Sequence, residues 1–148
     1  MKLVLCGPPG VGKTTVAERL ARRLRKAGRE VRLLHSDDFS RNTYHQMYQR
    51  VTEADPDTDW ILDGTFFERE WQDRFLALPD AHLVYLTASL ETALERNRTR
   101  ENSIPESGVR AMHGRFEPPE NPDLALDTEE LSASEAADAI GRYILTWF

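Results

Sequence analysis

Cysteine occurs once in the 148 residues, at Cys6, which excludes an intramolecular disulfide and a thiolate cage for a structural metal. Inside the apolar run Leu3-Val4-Leu5-Cys6 it reads as a small buried hydrophobe. The run faintly resembles a lipoprotein cleavage site, yet no long apolar stretch precedes it, so export is not expected. No apolar run approaches the ~20 residues that cross a bilayer, which predicts a cytoplasmic protein without a membrane partner. Positive charge is also scarce: 19 Lys and Arg stand against 25 Asp and Glu, a net charge of -6. That balance argues against broad, non-specific adhesion to nucleic acid. Linkers and internal repeats are missing too, so one domain is expected over residues 1–148. Lysine is the rarest charged residue, with three copies at 2, 13 and 26 against sixteen arginines, and Lys13 stands out for that reason.

Glycine is concentrated where the lysine is. Gly7-Pro8-Pro9-Gly10-Val11-Gly12-Lys13-Thr14 follows directly on the first apolar run and fits the pattern G-x-x-x-x-G-K-[ST]. Such a loop points successive backbone N–H groups at nucleotide phosphates, while the lysine reaches the terminal phosphates and the Thr14 hydroxyl binds Mg2+. A helix starting at Lys13 adds its positive dipole end. Thr15 completes the cradle at the start of that helix.

Periodicity then organises the rest of the chain. Val16, Ala17, Leu20, Ala21 and Leu24 recur at helical spacing from Lys13 to Ala27, and Gly28 stops the helix. The basic residues on its other face form either a solvated surface or an attraction for a polyanion. Short apolar runs predict strands at 31–35, 60–62, 82–86 and 124–126. Helical spacing falls at 42–54, 66–78, from about Ser89, and from Ser103 through about Phe116, the last opened by a Ser103-x-x-Glu106 capping box. A second box, Ser132-x-x-Glu135, opens a helix carrying Ala136, Ala137, Ile140, Ile144 and Trp147 on one stripe. Strands alternating with helices imply an α/β protein with a five-stranded parallel sheet covered on both faces. Right-handed crossovers place Gly7, Asp37, Asp63 and Thr87 on one sheet edge.

Two acidic strand ends meet the loop there. Phosphoryl transfer uses one carboxylate to orient or deprotonate the attacking hydroxyl, for which Asp37 is the candidate with Asp38 as its substitute. Another holds Mg2+ through water. Asp63 suits this because Ile61-Leu62-Asp63 has the apolar-strand-then-Asp form of a Walker B, although a turn aspartate before Gly64 has the same look. Arg96, Arg98 and Arg100 cluster where the fourth helix meets the break Glu101-Asn102-Ser103. Residues 96–116 or so then form a lid. Arg96 and Arg100, four apart, share its helix face and neutralise charge on a moving phosphoryl group, unless they pair with Glu95 and Glu101 on the surface. Phe39, Tyr44, His45 and Tyr48 are suited either to stack on a base or sugar or to pack a helix on the sheet. His35, His82 and His113 read as structural or surface histidines.

The loop, Asp37-Asp38, Asp63-Gly64-Thr65 and Glu95-Arg96-Asn97-Arg98-Thr99-Arg100 with Ile104-Pro105 and Met112 together resemble the P-loop kinases related to polynucleotide 5′-kinase and L-seryl-tRNA(Sec) kinase. Phe116-Glu117-Pro118-Pro119-Glu120-Asn121-Pro122-Asp123 and Leu126-Asp127-Thr128 are similar to adenylylsulfate kinase. The resemblance implies a three-layer P-loop NTPase fold and an ATP- and Mg2+-dependent kinase. Its γ-phosphoryl acceptor would be a hydroxyl of a small molecule or a nucleic-acid end. Lys13, Asp37, Arg96 and Arg100 would be catalytic; Gly7, Pro8, Pro9, Gly10, Val11, Gly12, Lys13, Thr14 and Thr15 would hold the nucleotide. Asp38, Arg41, Asp63 and Thr65 would face the acceptor, with Thr14 and Asp63 at the metal. Polynucleotide 5′-kinases commonly carry an arginine three positions after the matching aspartate, where this chain has Ser40 with Arg41 one place later, so the acceptor stays open. A nucleotide-dependent switch without an acceptor is the alternative reading.

Overall fold

Five short strands, each followed by a helical segment, build the molecule in the computed structural model, which describes residues 1–101 and 103–145. In chain order these are β1 (Lys2–Cys6), α1 (Lys13–Lys26), β2 (Arg32–His35) with a 3-10 turn (Ser36–Asp38), and α2 (Thr43–Glu53). Then come β3 (Trp60–Gly64), α3 (Arg69–Leu76), β4 (Ala81–Thr87), α4 (Leu90–Thr99), α5 (Glu106–Arg115), β5 (Leu124–Asp127) and α6 (Ala133–Leu145). The sheet runs β2-β3-β1-β4-β5 with every pair parallel, as alternating strands and helices require. All five residues of β1 and all five of β3 are buried, the mark of central strands covered on both sides.

Strand alternation sorts these residues onto two faces. Leu3, Leu5, Ile61, Val84 and Leu86 pack under α1 and α6. Val4, Cys6, Leu62 and Leu83 face the other way, against Met47 and Val51 of α2 and Phe75 of α3. Because Asp63 follows Ile61 by two residues, it points to the α1 side. The parallel register sets it opposite Leu5 in β1 and His35 in β2.

Several boundaries differ from those the sequence suggests. The third strand extends beyond Leu62 to Gly64, so Asp63 belongs to the ladder. The next helix opens at Arg69 instead of Phe66, because Phe66 sits at φ 46, outside helical space. The Ser103–Glu106 capping box does not form: Pro105 is the N-cap, and the Glu106 carboxylate accepts a 2.7 Å bond from Arg98 Nε. The Ser132–Glu135 box does form, with reciprocal bonds of 3.0 and 3.1 Å. Asn102 of the expected break and Trp147 of the last stripe lie outside the described residues. No helix among the described residues is long and apolar enough to cross a membrane.

Tyr44 and Tyr48 of α2 pack the helix against Phe66 in the turn after β3 and against α3, while His45 is exposed. Tyr44 lies 4.6 Å from the Phe66 ring, and Tyr48 meets Phe75 edge-on at 5.4 Å. The Tyr44 hydroxyl accepts a bond from the Phe66 N–H, so both ends of that side chain are engaged.

Candidate functional site

Between β1 and α1 the peptide carbonyls of the glycine loop are each engaged by a donor, one after another. Lys13 Nζ donates to the Pro8 carbonyl at 2.9 Å and His113 Nε2 to that of Pro9 at 2.9 Å. Arg96 Nη1 donates to the Gly10 carbonyl at 3.2 Å and Thr128 Oγ1 to that of Val11 at 2.7 Å. The Gly12 carbonyl takes the Val16 N–H at 3.1 Å as the helix begins. With these five successive carbonyls engaged, the backbone N–H groups from Gly10 to Thr14 remain as the loop's donors for an anion, Pro8 and Pro9 having none. Gly10 and Gly12, at φ 83 and 91, hold the left-handed conformation this reversal needs.

Lys13 is half-buried at the base of this cradle. Burial lowers its pKa, while the charges of Asp63, Cys6 and Asp37 push it back up and that of Arg100 lowers it further. Those couplings bring Asp37, Asp63 and Arg100 into the electrostatic reach of one ammonium group. Thr14 and Thr15 occupy the exposed first turn of α1. Thr14 Oγ1 donates to Asp63 Oδ2 at 2.8 Å, and Asp63 is only 3% exposed. A hydroxyl and a carboxylate joined at the foot of a phosphate cradle form the all-oxygen donor set that suits Mg2+, which needs few protein ligands beside phosphates and water.

Asp37 and Asp38 lie exposed in the 3-10 turn beyond β2, and Arg41 is exposed in the segment that follows. Thr65 is half-buried just past β3, where its carbonyl accepts a 3.4 Å bond from Cys6 Sγ. Arg96 does not project from a lid. Its guanidinium is spread over the Gly10 carbonyl, Thr128 Oγ1 at 3.0 Å and the Thr128 carbonyl at 2.8 Å. Nor does Arg100 share its helix face: α4 ends at Thr99, and Arg100 is extended at ψ 143. The buried Asn97 side chain explains the turn-out, because it bonds both the N–H and the carbonyl of Ile104 and so folds the chain back toward α5. Ala93, Leu94 and Val109 then pack α4 on α5.

Four residues that the sequence leaves without a site role shape this site: His35, Asn97, His113 and Thr128. His35 Nδ1 bonds the same Asp63 oxygen as Thr14, at 2.7 Å, and that hydrogen bond raises the histidine's pKa against the opposing effect of burial. His35 ends β2, and the only sequence signal was its place one residue before Ser36-Asp37-Asp38. Thr128 closes the Leu126-Asp127-Thr128 stretch that is similar to adenylylsulfate kinase, a resemblance that gives it no role.

A protein-family model for an AAA domain, AAA_33, matches residues 3–119. The chain belongs to the AAA domain family. Within it lies the full loop from Gly7 to Thr14, together with Asp37, Asp63 and Arg100. A probable adenylyl-sulfate kinase of Pyrococcus abyssi is 26% identical to this AAA domain protein, over 93% of this chain and 91% of the relative. Among solved structures, the Mycobacterium tuberculosis APS kinase CysC in complex with AMPPNP and APS superimposes with a TM-score of 0.75 at 18% identity, covering 97% of this chain and 96% of that one. Kti12 of Chaetomium thermophilum in complex with ADP-AlF3 gives 0.77 at 19% identity, over 97% and 99%. These structural likenesses establish the shared fold.

Proposed function

We propose that this protein is an ATP- and Mg2+-dependent kinase that transfers the γ-phosphoryl group of ATP to a hydroxyl of a small molecule or a nucleic-acid end. The observation that carries the reading is the loop whose carbonyls are held by side chains, with Lys13 at its base within electrostatic reach of Asp63, Asp37 and Arg100. The N–H face of the loop and Lys13 hold the triphosphate, and they favour the transition state because they are in place before charge moves. Mg2+ held by Thr14 and, through water, by Asp63 would neutralise phosphate charge. Asp37 orients the acceptor hydroxyl. That oxygen attacks the γ-phosphorus, the bond to the β–γ bridging oxygen breaks, ADP leaves, and Asp37 takes the proton. Arg96 acts through the loop that it holds. Arg100, extended just past α4, supplies positive charge at the start of the segment of about residues 96–116 that serves as the lid of a single kinase domain, with Arg96 anchored to the loop. Asp38, Arg41 and Thr65 line the acceptor side.

The acceptor is best sought first among nucleotides bearing a sulfate, because the Pyrococcus abyssi relative is named for adenylyl sulfate. The test incubates the protein with γ-labelled ATP, Mg2+ and a panel of adenylyl sulfate, nucleosides, sugars, 5′-hydroxyl oligonucleotides and tRNA. Label in one pool identifies the acceptor class. Lys13→Ala should then lose transfer with its fold intact, and Asp37→Asn should bind ATP without transferring. Label found only in free phosphate, and raised by a partner protein, would replace this reading with a nucleotide-dependent switch.

A further inference from the structure

We propose that His35 is a positioning residue that holds the Asp63 carboxylate in place for the metal-bound nucleotide. The inference rests on the reading above that Thr14 and Asp63 serve Mg2+. His35 closes β2 and Asp63 lies beside it in the parallel register, so the contact is set by the sheet and not by a loop. The ring Nδ1–H donates to Asp63 Oδ2 at 2.7 Å, and Thr14 Oγ1 donates to the same oxygen at 2.8 Å. Asp63 Oδ1 has no hydrogen-bond partner among the described residues and is left for a metal-bound water.

The two donors are not equivalent. Thr14 is itself a candidate metal ligand: one lone pair of its oxygen would meet the cation while its O–H goes on donating to Asp63, so this donor's position is tied to the metal. The imidazole is the donor to Asp63 Oδ2 that is not itself a candidate metal ligand, and it fixes the carboxylate rotamer from the sheet side. Fixing it matters because Mg2+ tolerates little departure from octahedral geometry, and an aspartate free to turn about two side-chain bonds must be ordered at each binding event. A partner that orients a metal-site carboxylate typically contributes ten- to hundred-fold in metal affinity. The role is specific to a donor at the Nδ1 position. Asparagine places an amide N–H close to where Nδ1 sits, whereas glutamine carries it one bond further out.

Calorimetric titration with ATP, in the presence of Mg2+ and in its absence with a chelator, tests this on wild type, His35→Ala, His35→Asn and His35→Gln. We expect wild type to bind ATP more tightly with Mg2+. In His35→Ala and His35→Gln that enhancement should fall by roughly ten- to hundred-fold, with affinity for metal-free ATP unchanged. His35→Asn should recover most of it. Equal loss with and without Mg2+ would show a merely structural role and overturn the inference. So would Ala and Gln variants that respond to Mg2+ like wild type, or an Asn variant no better than Gln. The Asn and Gln pair decides the matter even if the Ala variant fails to fold. A wild type indifferent to Mg2+ overturns the underlying metal reading, and the inference with it; a responsive wild type with unaffected variants overturns the inference alone.

Discussion

Gly10 links the cradle to α4, and a methyl group added there should act as a wedge. A Cβ at this position would lie 2.8 Å from the Ala93 carbonyl oxygen and 2.9 Å from both its Cα and its Cβ, with φ at +83. Gly28, just after α1, has nearly the same φ of +84 but nothing within 4 Å. The pair therefore separates backbone strain from overpacking. The left-handed conformation costs an L-residue about 1–2 kcal/mol, which is all that Gly28→Ala should lose. Gly10→Ala carries the same strain plus about 1–3 kcal/mol for forcing helix backbone aside, for a total of about 2–5 kcal/mol. At about 3 °C per kcal/mol for a chain of this size, melting should drop by roughly 3–6 °C for Gly28→Ala and roughly 6–15 °C for Gly10→Ala. ATP titration of the same proteins should show weakened binding only in Gly10→Ala, since the loop must shift to relieve the contact. Two variants that melt together, or a Gly10→Ala protein that binds ATP like wild type, would refute the close packing of loop on α4.

Three further outcomes follow from other contacts. Thr128→Val keeps the shape but leaves the Val11 carbonyl without its donor, at a cost of about 1–3 kcal/mol divided between melting temperature and ATP affinity; wild-type values for both would remove the loop-holding role. Burial pushes the Cys6 thiol up to about 12, although the nearby Lys13 charge opposes it, so a thiol reagent at about pH 8 should label the protein only after denaturation. Burial raises the Asp59 carboxyl, but the hydrogen bonds from Arg29 and the amino terminus outweigh it and leave the pKa below its usual value. Because the folded pKa is the lower one, Asp59 stabilises the protein above its unfolded value of about 3.9, and that contribution disappears as pH falls through the folded pKa. Urea melts from about pH 6 to about pH 3 should show wild type and Asp59→Asn converging at the acidic end.

Local chemistry carried much of this protein in plain view. Apolar runs too short for a helix, separated by amphipathic stretches, required an alternating α/β chain. Gly7 to Thr14 required a strand-to-helix phosphate loop whatever surrounded it, because backbone conformation and helix polarity are properties of adjacent residues. The resemblance to kinases added named roles to those same positions. Tertiary structure decided which distant residues complete the loop. The carbonyls of Pro9, Gly10 and Val11 are held by His113, Arg96 and Thr128, between 86 and 117 positions away, and no local pattern announces such partners. Arg96 looked like a lid arginine because its spacing to Arg100 suggested one helix face. Asn97 bonding Ile104 ended that helix early, a consequence of packing and not of helix propensity. His35 and Asp63 are 28 residues apart and become neighbours only because β2 and β3 pair in register. The glycine loop can be read from one segment, since it is contiguous; the distant side chains that hold its carbonyls come from α4, α5 and the turn after β5, and only folding brings them together.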